Sequence, residues 1–134
     1  MSDLQCIVVT PEQTVRETRA DFVALTLFDG EIGIAPGHTP MIGRLGCGEM
    51  RIRHQRQVDR YYVEGGFVEV LGDVVSVLTQ RAVPAAQVDA AVAREQLLSA
   101  QSRRAATPEA MAQRDRTVQQ SRAQLRVARR ETPY

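Results

Sequence analysis

Through residue 84 the chain is a series of short apolar pulses cut by Gly, Pro and polar pairs; beyond it the spacing becomes helical. Residues 4–9 (L-Q-C-I-V-V) read as a first strand closed by Thr10-Pro11, and residues 14–18 alternate more weakly. Phe22, Val23, Leu25 and Leu27 make a better strand over residues 21–28, ahead of a turn at Asp29-Gly30. Met41, Ile42 and Leu45 lead into the turn-rich passage Gly46-Cys47-Gly48. Residues 49–53 place Met50 and Ile52 on one face and Glu49, Arg51 and Arg53 on the other, the pattern of a half-buried antiparallel strand. His54-Gln55-Arg56-Gln57 is a polar hairpin tip, residues 58–63 return from it, and Glu64-Gly65-Gly66 breaks the run. Residues 67–71 and 74–78 flank a two-residue turn, Gly72-Asp73. About eight or nine such strands describe an antiparallel β-sandwich or flattened barrel over residues 1–84, a core near the lower size limit for independent stability.

After Pro84 there is no Gly, and Ala, Gln, Arg and Leu dominate. One helix is predicted from Gln87 to about Arg104, with Val88, Ala91, Val92 and Leu98 as a thin apolar face and Asp89 in its first turn. Thr107-Pro108-Glu109 supplies an N-cap, a proline at the first helical position and an acid in the first turn. A second helix of roughly 23 residues runs from there to about Arg130. Met111, Val118 and Leu125 recur every seven residues along it as a single apolar seam. One seam anchors a helix poorly, so this hairpin, residues 85–134, is expected to be mobile. Arg122, Arg126, Arg129 and Arg130 fall within an arc of about 100°, either as a solvated face or as a docking stripe for an acidic partner.

Charge sharpens the division. Residues 1–84 hold 8 Arg against 11 acidic residues, a net of −3, whereas residues 85–134 hold 9 Arg against 5, a net of +4. An acidic first part joined to a basic second part suggests separate surfaces for separate partners. All 17 basic positions are Arg, so a lysine Schiff base and the phosphate loop ending in Gly-Lys-Ser/Thr are excluded. No apolar run approaches the roughly 18 residues needed to span a bilayer, and no secretory signal precedes the first strand. Cys6 and Cys47 stand alone in strand-like settings, as buried thiols do in a reducing compartment, and point to a cytoplasmic protein.

Catalytic chemistry is missing from the pattern. His38 lies in a Gly/Pro turn and His54 in the hairpin tip, neither with a second ligand at helical spacing, so no metal site is expected. Ser76, Ser99, Ser102 and Ser121 lack a nucleophile-elbow setting. The acidic β half and the scarcity of aromatics, 4% of residues, argue against nucleic acid. The densest feature is residues 29–40, D-G-E-I-G-I-A-P-G-H-T-P, with three glycines and two prolines around one apolar pulse. It reads as a docking loop or as an ordinary pair of turns.

Three passages resemble the epsilon subunit of bacterial F-type ATP synthases, the counterpart of the mitochondrial delta subunit. They are G-E-I-G-I-A-P-G-H-T-P (residues 30–40), Y-V-E-G-G-F-V-E-V-L-G-D-V-V-S-V-L (residues 62–78) and A-Q-L-R-V-A (residues 123–128). Order and spacing agree from about residue 4 to about residue 130. The resemblance implies a non-catalytic central-stalk subunit at the cytoplasmic face of the bacterial inner membrane, held there only through its complex. By position, Gly30, Glu31, Ile32 and Gly33 would face the c-ring, and His38, Thr39, Pro40, Met41 and Ile42 the gamma subunit. In that family the hairpin either folds on the sandwich or extends along gamma. The extended form inhibits ATP hydrolysis by contacting acidic carboxy-terminal helices of the alpha and beta subunits, a partner that suits Arg122, Arg126, Arg129 and Arg130.

Some family members bind ATP through an Ile/Leu-Asp-x-x-Arg-Ala motif at the start of the first helix. Here the run is Val88-Asp89-Ala90-Ala91-Val92-Ala93, with Val92 in place of the motif Arg. No cofactor is therefore expected, and nucleotide contact through Asp89, Arg122 and Arg126 would be weak or absent. A free-standing adaptor that binds an acidic protein through the Arg-rich hairpin is the alternative function, and a small hydrolase a more distant one.

Overall fold

A computed structural model describes residues 3–129. In them ten strands form two five-stranded sheets, followed by a single 3₁₀ turn at Ala85–Gln87 and two helices. The first sheet contains β1 (Leu4–Val9), β2 (Thr14–Ala20), β5 (Met41–Arg44), β8 (Phe67–Leu71) and β9 (Val74–Leu78), in the order β2-β1-β9-β8-β5. The second contains β3 (Phe22–Leu27), β4 (Gly30–Ile34), β6 (Cys47–His54), β7 (Gln57–Glu64) and β10 (Ala82–Pro84), in the order β10-β7-β6-β3-β4. Pairing is antiparallel throughout except for β1 against β9. Alternate residues of both sheets meet in the sandwich core, where Cys6, Val8, Val23, Ile34, Met50 and Val68 are wholly enclosed.

Local chemistry explains the connections. β8 and β9 pair Leu71 with Val74, leaving Gly72-Asp73 as the two-residue turn, with Gly72 at φ 61°. β6 and β7 close at His54 and Gln57, around Gln55-Arg56. Gly66 has φ 98°, and a Cβ there would collide with the Leu78 carbonyl, so no other residue fits this crossing between the two sheets. α1 (Ala90–Ser102) and α2 (Pro108–Arg129) pack on each other, and α2 lies across β6 and β7 on the outer face of the second sheet.

Several details depart from the sequence reading. The turn after β3 is Phe28-Asp29, since Leu27 pairs with Gly30, and Glu31 consequently stands in a strand opposite Thr26. β10 has no separate signal in its three residues, Ala82-Val83-Pro84, and forms by pairing with β7. β6 is buried on both faces from Gly48 to Ile52, because α2 covers the face that bears Glu49 and Arg51. Asp89 is the N-cap of α1 and accepts hydrogen bonds from the amides of Ala91 (3.0 Å) and Val92 (3.2 Å). The buried residues of α1 are Ala93 and Ala100, seven positions apart, whereas Val92 and Leu98 are exposed. In α2, Met111 is exposed, and burial concentrates in Ser121, Ala123, Leu125 and Val127. The carboxy-terminal half is therefore held on more than one seam, because it is sandwiched between α1 and the sheet.

Candidate functional surfaces

Two surfaces and one groove carry the distinctive features, and the first is the outer face of β5, β8 and β9. Ile42 is 72% exposed, Leu71 63%, Phe67 56% and Leu78 51%, with Val74 beside them. Strand register gathers these residues: Phe67 stands opposite Leu78, Leu71 opposite Val74, and Ile42 opposite Glu69. Isolated exposed apolar residues are ordinary, but a contiguous set on one sheet face marks a contact surface. Of the residues singled out by position, Ile42 belongs to this face. Sequence reasoning missed Phe67, Leu71, Val74 and Leu78. Their signal was present in F-V-E-V-L and V-V-S-V-L, which carry large apolar residues on both phases of the period-two pattern.

His38, Thr39 and Pro40 lead into β5 from the turn that follows β4. That turn is closed by a hydrogen bond from the His38 amide to the Ala35 carbonyl (3.2 Å). It is tied across the sandwich by the Gly37 amide, which donates to Asp73 Oδ1 in the β8–β9 turn (3.1 Å). Gly30, Glu31, Ile32 and Gly33 lie within β4, whereas His38, Thr39 and Pro40 follow it and Met41 and Ile42 stand in β5 of the first sheet.

The second surface is the part of the second sheet that α2 leaves open. Gly30, Glu31 and Gly33 are exposed there, and Ile32 is half-buried against the core. Glu31, Ile32 and Gly33 line a depression of about 360 Å³ with Phe22, Arg51 and Arg53. The Arg53 guanidinium lies 5.1 Å from the Phe22 ring centre, and its Nε donates to Asp21 Oδ1 at 2.7 Å. That hydrogen bond holds the Asp21 carboxyl below the usual carboxylate range.

Between α2 and the edge of the sandwich runs a groove of about 760 Å³, bordered by Arg44, Arg116, Arg122 and Arg126. Arg126 also lines a smaller cleft with Gly30 and Glu31, so the structure brings part of the basic stripe next to the start of β4. Arg129 is exposed at the end of α2, and Arg130 lies outside the described residues. Asp89 borders a different cleft, with Tyr62, Arg81 and Gln124, from the groove that Arg122 and Arg126 border. Under α2, Tyr62 packs with Ala123 and Val127 and donates to Glu64 Oε1 at 2.8 Å. Burial and the Glu64 carboxylate push its phenol far above the usual value. Among the described residues no three His, Cys, Asp or Glu side chains gather as a metal site would require. None of the described helices is long and apolar enough to cross a membrane.

The family model for the ATP synthase delta/epsilon chain β-sandwich domain matches residues 3–85. The chain is 46% identical over 126 residues to the ATP synthase epsilon chain of Rhodopirellula baltica, covering 94% of this chain and 98% of that one. It is 36% identical over 103 residues to the epsilon chain of Granulibacter bethesdensis, covering 76% of each. In fold it is similar to a chain in the mitochondrial ATP synthase of Euglena gracilis (OSCP/F1/c-ring), with a TM-score of 0.84 at 18% identity over 92% of this chain and 79% of that one. A chain of the Tetrahymena thermophila central stalk and c-ring gives a TM-score of 0.75 at 13% identity, over 95% and 97% of the two chains. A sandwich matched along its whole length, and a relative of nearly equal length at close to half identity, place this chain in the family of ATP synthase delta/epsilon chains.

Proposed function

We propose that the chain is a non-catalytic subunit of the central stalk of a proton-translocating F-type ATP synthase, and that it couples rotation of the c-ring to the gamma subunit. The observation that carries this reading is the exposed apolar face of β5, β8 and β9 on a chain 46% identical to an ATP synthase epsilon chain. Such a face is costly to leave in water and fits a permanent partner. Gamma is that partner, meeting Ile42, Phe67, Leu71 and Leu78, with His38, Thr39, Pro40 and Met41 at the border. Gly30, Glu31, Ile32 and Gly33, in β4, meet the polar loops of the c-ring. The complex holds the chain at the cytoplasmic face of the membrane.

The hairpin is the regulatory part. Arg122, Arg126 and Arg129 point away from the buried side of α2 and are available to acidic helices of the alpha and beta subunits once α2 leaves the sandwich. Nucleotide contributes little or nothing to holding the hairpin down. Val92 replaces the motif Arg, the Asp89 carboxylate caps α1, and Arg122 and Arg126 border another groove. Co-expression with gamma tests the assignment. The chain should co-purify with gamma in equal amounts and hydrolyse no ATP when isolated. Failure to bind gamma, with recovery of unrelated acidic proteins from the host, would favour the adaptor reading.

A further inference from the structure

Beneath α2 lies a charged triad that the proposed function does not use. Glu49 of β6 and Arg60 of β7 sit on the sheet face covered by the helix, with Arg51 beside them. Glu49 Oε1 accepts from Arg51 Nη1 at 2.7 Å, and Oε2 accepts from Arg60 Nε at 2.7 Å and Nη2 at 2.6 Å. Arg60 Nη2 also donates to the Val127 carbonyl of α2 at 2.8 Å. Glu49 is 9% exposed and Arg51 8%, so this is a buried network that spans the sandwich and the hairpin.

Val127 lies in the last described turn of α2, toward the end of the helix where its dipole is negative. A guanidinium fixed on the sheet is favoured by that end of the helix. The apolar contact beneath α2 is small, formed by Tyr62, Ala123 and Val127 with Cys47, Ala85 and Val88 around them. The helix brings only the small side chains of Ala123 and Val127 to that contact, which would tolerate a displacement by a turn, whereas the Arg60 contact would not. A buried ion pair adds little net stability over an apolar replacement, but it is costly to break from one side. We infer that Glu49 and Arg60 form a latch that fixes the register of docked α2, and that loss of the Arg60 contact frees the carboxy-terminal half of the helix from the sheet.

Cys47 supplies a built-in reporter. It is half-buried and lines the same cleft as Ala123, Arg126 and Val127, whereas Cys6 is sealed in the sandwich core. N-ethylmaleimide labelling of the full-length chain, read by mass spectrometry, separates release of α2 from unfolding. In Arg60→Met, which leaves Arg51 paired with Glu49, Cys47 labelling should rise about tenfold, the size of a lost hydrogen bond to a charged group, with Cys6 still protected. Arg60→Lys keeps a cation beside Glu49 but lacks the planar fork that reaches Glu49 Oε2 and the Val127 carbonyl together, so it should give a smaller rise, again at Cys47 alone. Unchanged Cys47 labelling in Arg60→Met would overturn the latch. So would joint exposure of Cys6 and Cys47 in both variants, because Arg60 would then merely hold the sandwich together.

Discussion

The Phe22 ring occupies the space above Gly33: a Cβ built on Gly33 would stand 2.5 Å from Phe22 Cζ. An aromatic laid over a strand glycine restores the cover that the missing side chain would have given, and here Arg53 stacks on the same ring. The glycine therefore shapes the open end of the second sheet through its neighbour as well as through its own backbone. Gly33→Val should push Phe22 off the sheet and expose the floor of the depression beside Glu31. Folding should survive with a loss of about 1–3 kcal/mol in urea denaturation, the cost of a side chain inserted into a packed site. In the assembled complex the same variant should lower proton pumping per ATP hydrolysed. Coupling at the wild-type level would leave residues 29–40 as turns and a strand without a docking role.

The gamma contact makes a prediction about the other sheet. Ile42→Asp, and separately Leu78→Asp, replace exposed residues, so neither should change stability by more than about 0.5 kcal/mol. Both should weaken co-purification with gamma by at least about tenfold, since each puts a charge into an apolar contact. An exposed residue of the opposite sheet, Arg56 in the β6–β7 turn, serves as the control, and Arg56→Asp should bind gamma normally.

Alkaline pH should loosen the sandwich. Burial pushes the Cys6 thiol from its ordinary 9.0 up to about 12, outweighing the nearby Arg16, and Cys47 and Tyr62 are raised as well, chiefly by burial. A thiol raised in the folded state keeps its proton more tightly there than in the unfolded chain. For Cys6 that contribution is complete below pH 9 and is lost as pH rises toward 12, by up to about 1.4 kcal/mol per pH unit. Cys6→Val should flatten the fall in urea midpoint between pH 9 and pH 10.5. An unchanged slope would assign the alkaline loss to other groups.

Regulation by the hairpin predicts that truncation after Ala86 raises ATP hydrolysis by the assembled complex without preventing assembly. Replacing Arg122 and Arg126 together with Glu should reproduce most of that rise while α2 still folds, because both side chains are exposed on the docked helix. Steady-state hydrolysis of the purified complexes measures both effects. Unchanged rates would remove the inhibitory role and leave the coupling role standing.

The β-sandwich was legible because its turns are written in local chemistry: Gly72-Asp73, Gly65-Gly66 and the polar tip around Gln55-Arg56 each end a strand wherever they occur. What covers a face is not local. Glu49, Arg51 and Arg53 alternate as a solvated strand face would, yet α2, some 70 residues later in the chain, buries the first two and leaves Arg53 in the open. The seam of α1 departs from the apolar pattern for a related reason. Ala93 and Ala100 are buried because the helices approach closely there, and alanine is too small and too common in helices to mark the seam, whereas the larger Val92 and Leu98 lie on a face that is exposed. The apolar docking face was hidden by its own regularity, since Phe67, Leu71 and Leu78 look like core until the register shows that Val68, Val70 and Val77 already fill it.

Proton pumping by the synthase complex in sealed vesicles, assembled without this chain and then with it added back, addresses its role as a coupling element most directly. ATP-driven acidification should be absent or slight without the chain although hydrolysis continues, and should return on addition of the wild type but not of a variant carrying Ile42→Asp. Equal acidification with and without the chain would contradict the assignment.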